Sequence, residues 1–144
     1  DILIAPGAKL IGIMTADGRV LDHETAQGFA AKSWLRRDGD IAIQAKSAAR
    51  SGLMRQKGQL HTLVKGWSVH SIWNKGVSTE TLQQLCTRQA IVIAKRADGV
   101  RGDCLFFGKR ELDRFGAIAI HIDEAGAQVV RALDPSHQRL WSRR

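Results

Sequence analysis

Three short apolar runs lie between residues 90 and 120: Ala90-Ile91-Val92-Ile93-Ala94, Cys104-Leu105-Phe106-Phe107 and Ala117-Ile118-Ala119-Ile120. Each is short and bounded by turn-forming residues, which reads as a buried strand rather than a helix. A helix ending near Cys86 leads into the first run, and the polar, Gly-containing loop 95–103 leaves it. A helical segment from Lys109 to Phe115 precedes the third. Three buried-strand candidates in so short a stretch make 80–122 the expected core of the domain.

The flanking sequence supplies more strands. Ile2-Leu3-Ile4, Leu10 to Met14 and Arg19 to Leu21 read as a three-stranded meander, turning at Pro6-Gly7 and Asp17-Gly18. Glu24 to Arg37 has apolar residues at helical spacing, with Phe29 and Trp34 as expected anchors in the core. Asp38-Gly39-Asp40 would stop that helix, and 41–50 reads as a connecting loop with room for a helical turn. Three more strands follow: Leu53 to Arg55, Leu60 to Val64 and Trp67 to Ile72. In the last, Trp67 and Val69 face one side and His70 and Ile72 the other. Ser78 caps a helix from Thr79 to Thr87, and Gln128 to Leu133 closes the sheet after a turn at 123–126. The expectation is one α+β domain over 1–133, mostly antiparallel with two or three short helices, and a basic tail over 134–144.

At 144 residues the chain is long enough for one domain with a real core. No apolar run approaches the roughly 18 residues of a membrane-spanning helix. The chain opens inside a strand without an initiator Met, which reads as a piece of a longer protein.

The patterns that would carry catalysis are missing from the sequence. A two-metal hydrolase holds its ions about 4 Å apart with clustered His and Asp ligands. The histidines here, His23, His61, His70, His121 and His137, are scattered, with none within four residues of another. No phosphate-binding Gly-x-x-x-x-Gly-Lys loop and no Gly-x-Ser-x-Gly nucleophile turn occurs. Neither a metal nor another cofactor is expected, nor a small-molecule substrate. Cys86 and Cys104 are too few for a zinc site; they are either two buried thiols or a disulfide closing a loop of about 18 residues.

Charge is more informative. The net charge is +8, which favours anionic partners. Lys46, Arg50, Arg55, Lys57 and Lys65 cluster around the middle hairpins, near Trp67 and Trp73 in sequence. Lys95, Arg96 and Arg101 populate the loop between the cysteines, and Arg139, Trp141, Arg143 and Arg144 the tail. Cations that neutralise phosphates, with aromatics to stack bases, suit a sequence-neutral binder of single strands. The plainer alternative is a solvated positive face with the tryptophans in the core.

The succession of a Cys at a helix end (Cys86), Ala90-Ile91-Val92-Ile93, Cys104 and then Asp113-Arg114-Phe115-Gly116-Ala117-Ile118-Ala119-Ile120 resembles the tail of ComEC-family proteins, inner-membrane channels of natural transformation. Asp1 to Ile4, Met14 to Val20, Gly28 to Leu35 and Asp38-Gly39-Asp40 share the likeness. It departs at 51–58, where a further cysteine pair is expected and none is present. The resemblance implies a shortened, metal-ligand-free form of a metallo-β-lactamase-like sandwich. It implies a soluble domain of an inner-membrane protein, on the periplasmic side, where the Cys86–Cys104 disulfide is favoured. The implied partners are DNA, single-stranded and read without sequence preference, and the membrane-embedded remainder of the channel. Two other readings stay open: a metal-dependent nuclease that degrades the non-transforming strand, and a structural remnant that touches no DNA.

Overall fold

The computed structural model describes residues 1–133. The expected tail at 134–144, with its arginines and Trp141, lies outside them. The fold is α+β, with ten strands in two sheets. The first sheet orders β10 (Gly126–Arg131), β9 (Ile118–Asp123), β1 (Ile2–Ile4), β2 (Ile11–Thr15) and β3 (Gly18–Leu21), antiparallel throughout. The second orders β4 (Met54–Gln56), β5 (Gln59–Val64), β6 (Trp67–Ile72), β7 (Ala90–Ala94) and β8 (Leu105–Phe107). Here β4, β5 and β6 are antiparallel hairpins, whereas β6, β7 and β8 run parallel.

The parallel pairing explains the sequence of β7. All five of its residues are buried, because it lies inside a sheet covered on both faces. A continuous apolar run is what such a strand requires. Its crossover from β6 passes through α3 (Thr79–Leu85), which the Ser78 hydroxyl caps by accepting from the Thr81 N–H at 3.2 Å.

The stretch 80–122 does not form one sheet. β7 and β8 belong to the second, but β9 crosses into the first and pairs with β1 as Ile120↔Ile2 and Ile118↔Ile4. α4 (Lys109–Arg114) makes the crossing. The core therefore lies between the sheets: Ile2, Ile4, Ile13, Ile118 and Ile120 of one meet Val69, Ile91, Ile93 and Phe107 of the other.

Helices cover the outer faces. α1 (Gly28–Arg37) and α2 (Gln44–Ala48) close the first sheet through Ala31 and Leu35 against Leu10 and Leu21. Trp34 lies against Gly12, where an added Cβ would come within 3.2 Å of the indole ring and 2.8 Å of Arg19 Cδ. Only a glycine admits both neighbours. α3 closes the second sheet through Leu82 and Cys86 against Ile72, Val92 and Ala94. A disulfide joins Cys86 to Cys104, across Cα atoms 4.7 Å apart.

Three expectations need correction. There are four α-helices among the described residues, not two or three. The additional one, α2, is held from outside: Gln44 donates to the carbonyls of His23 and Ala26, and buried Ser47 donates to that of Arg19 at 2.6 Å. The first helix begins at Gly28 rather than near Glu24, because Gln27 is left-handed with φ 52°. Phe29 is not a core anchor; it is 91% exposed. Ala31 and Leu35, four apart, form the buried stripe of α1, and position 29 points to the opposite side.

Candidate anion-binding cleft

A cleft of about 640 Å³ opens where the strands of both sheets end. Its walls are Asp22 and His23 after β3, Arg55 and Gln56 on β4, Trp73 after β6, Lys95 and Arg96 after β7, and Lys109 at the start of α4. Parallel β6 and β7 end side by side, since Ile72 pairs with Ala94. That register places Trp73 next to Lys95, whose ammonium sits 5.8 Å from the indole centroid.

Four permanent cations and one carboxylate line this space. The Asp22 carboxylate accepts from the Ile11 N–H at 2.7 Å. Burial pushes its pKa up, and the Ile11 N–H and the charges of Lys95, His23 and Arg55 oppose that only partly. Burial also pushes the Lys95 ammonium below the usual lysine range; the Arg96 charge adds to this, and Asp22 opposes it. Among the described residues, no carboxylate lies within ion-pair distance of Lys95. A half-desolvated ammonium with no close counter-ion gains when an anion enters beside it.

The residues expected from sequence to bind nucleic acid divide into three groups. Arg55, Lys95 and Arg96 converge on the cleft. Arg55 is partly occupied there, donating to the carbonyls of Leu21, Asp22 and Ala48 and so fastening β4 to the end of β3. Arg50 and Lys65 are engaged elsewhere. Arg50 pairs with Asp40 at 2.5 Å and donates to the Arg19 carbonyl. Lys65, at the opposite end of β6 from Trp73, donates to the Ile122 carbonyl at 3.0 Å and bridges Asp1. Lys46 on α2, Lys57 in the β4–β5 turn and Arg101 in the loop before β8 are exposed and do not line the cleft.

Lys109, Asp22 and His23 complete the cleft without having been singled out in the sequence. Lys109 arrives because α4 crosses between the sheets; it also pairs with Asp113 one turn on, in an exposed i,i+4 bridge at 2.5 Å that leaves its ammonium at the cleft wall. Trp67 is half-buried on the core between the sheets, whereas half-buried Trp73 borders the cleft.

Among the described residues, no three His, Cys, Asp or Glu side chains are grouped so as to hold a metal ion. His61 and His70, distant in sequence, do meet: they pair across β5 and β6, with rings stacked at 4.7 Å between centroids. Nor is any helix of the described residues long and apolar enough to cross a membrane. Comparison of the chain with protein-family models, with curated proteins and with solved structures finds no match.

Proposed function

We propose that this chain is the soluble, non-catalytic domain of a ComEC-like DNA-uptake channel, and that its cleft holds the backbone of incoming single-stranded DNA. The observation that carries the DNA contact is the convergence of Lys95, Arg96 and Lys109 beside Trp73. Phosphates would replace the missing counter-ion of Lys95, and the indole offers a surface for a base. Arg96 is exposed at the rim, where it meets a strand before the deeper groups do. The parent channel is inferred from the sequence resemblance, which also implies a two-sheet sandwich. A periplasmic location is supported by the Cys86–Cys104 disulfide, a bond that persists in oxidising compartments.

The test is fluorescence anisotropy of labelled single-stranded DNA with the full chain, at about 50 mM and about 200 mM salt. Manganese and zinc are included, and the DNA is then run on a denaturing gel. Salt-sensitive binding of intact DNA is expected. Lys95→Ala with Arg96→Ala should weaken it about tenfold or more and flatten the salt slope, while Lys57→Ala leaves it unchanged. DNA cut by the purified chain would instead favour the metal-dependent nuclease. No binding at low salt would leave a structural domain.

A further inference from the structure

Strongly exposed apolar side chains lie away from the cleft. Phe29 is 91% exposed, Ile41 101% and Ile43 65%. Exposed apolar side chains are ordinary singly and informative when they share a patch. Ile41 and Ile43 line a groove of about 650 Å³ between α1 and the segment after it, and Phe29 follows Gly28, another of the lining residues. Gln44, which follows Ile43, reaches Gly28, which precedes Phe29, within 3.8 Å of its added Cβ position. The groove shares no lining residue with the cleft.

Charge around the groove has one sign. Phe29, Lys32 and Arg36 follow one stripe of α1 at helical spacing, and Lys32 and Arg36 line the groove. Among the described residues its one lining carboxylate, Asp40, is engaged by both terminal nitrogens of Arg50, at 2.5 and 3.0 Å. The face therefore carries exposed apolar side chains bordered by Lys32 and Arg36, which pair with no carboxylate among the described residues.

We propose that this face docks the protein on an anionic lipid bilayer. Phe29, Ile41 and Ile43 enter the boundary between headgroups and acyl chains, and Lys32 and Arg36 meet the lipid phosphates. Protruding apolar side chains with flanking Lys and Arg are the composition of an interfacial anchor, which lies about 5–10 Å deep. A bilayer supplies both the negative charge and the apolar layer that this face calls for.

The experiment is co-sedimentation of the full chain with vesicles of phosphatidylcholine alone, or mixed with phosphatidylglycerol. Because the net charge is +8, the decisive variant changes no charge: Phe29→Ser, Ile41→Ser and Ile43→Ser together. These positions are exposed, and circular dichroism checks that the fold persists. Binding to the mixed vesicles is expected to fall about tenfold or more in that variant. Leu63→Ser, an equally charge-neutral change at an exposed apolar position on β5, should leave it nearly unchanged. Phe29→Trp should add fluorescence that brominated acyl chains quench. Retention of full binding by the triple-serine variant would overturn the proposal, as would equal binding to uncharged vesicles or no binding at all. A dimer in sedimentation equilibrium that the same substitutions dissolve would assign the face to a second copy instead.

Discussion

Arg19 and Asp38 form a two-bonded pair under the edge of the first sheet. Arg19 Nε donates to Asp38 Oδ2 at 2.6 Å and Nη2 donates to Oδ1 at 3.1 Å, with side chains only 6% and 14% exposed. Two residues on, Asp40 takes Arg50 in the same two-pronged way, and Arg50 also donates to the Arg19 carbonyl. The Asp38-Gly39-Asp40 turn is thus a double clamp that ties α1, β3 and α2 together. Gly39 between the carboxylates has φ 73°, a conformation that costs other residues strain.

Removing one partner of a buried pair leaves the other charge uncompensated, at a cost of about 3–5 kcal/mol. Asp38→Ala strands Arg19, so urea unfolding should show a loss of that order. Asp113→Ala, which breaks an exposed i,i+4 pair with Lys109, should leave the urea midpoint nearly unchanged. Equal losses for the two variants would contradict the clamp.

The disulfide closes a loop whose ends are 18 residues apart and carries Cys86 and Cys104 in the cluster beneath α3. Loop entropy of that length corresponds to about 3 kcal/mol. Cys86→Ala with Cys104→Ala should lower stability by about that amount at 25 °C. Dithiothreitol should lower the melting temperature of the native chain but not that of the variant. Identical melting of the native chain with and without reductant would overturn this. Lys95 and Arg96 lie within the closed loop, so the variant should also loosen one wall of the cleft.

His70 stacks on His61, and burial pushes its pKa below the ordinary value of 6.5, with the His61 charge adding to the effect. The fold therefore prefers the neutral imidazole. Its contribution is complete above pH 6.5, the unfolded value, and is lost as pH falls through the lower folded value. Between about pH 7 and about pH 5 the native chain should lose stability faster than His70→Gln, which cannot acquire the proton. Urea midpoints across that range measure the difference, and parallel curves would refute it.

Periodicity and turn chemistry determined the elements. β7 was legible as an uninterrupted apolar run, β6 by alternation, the β2–β3 turn by Asp17-Gly18, and α3 by the Ser78 cap. These signals are local, because side-chain period and backbone dihedrals are set within a few residues. The α+β class followed from them. The start of α1 was misplaced: Gln27 is left-handed, and Gln44 holds the Ala26 carbonyl beside it, a long-range contact that sequence does not display.

What tertiary structure alone decided is which charges converge and which are consumed. Arg50, Lys65 and Arg96 are alike as letters. Yet Arg50 is clamped to Asp40, Lys65 reaches across to Ile122 from the other sheet, and Arg96 borders the cleft. The same holds for apolar residues: Phe29 faces water while Phe107 is fully buried. Burial and pairing depend on long-range register, here on β9 leaving the second sheet for the first and on α4 delivering Lys109 to the cleft. A sequence carries the local preferences of each residue; its partners are set only when distant segments pack.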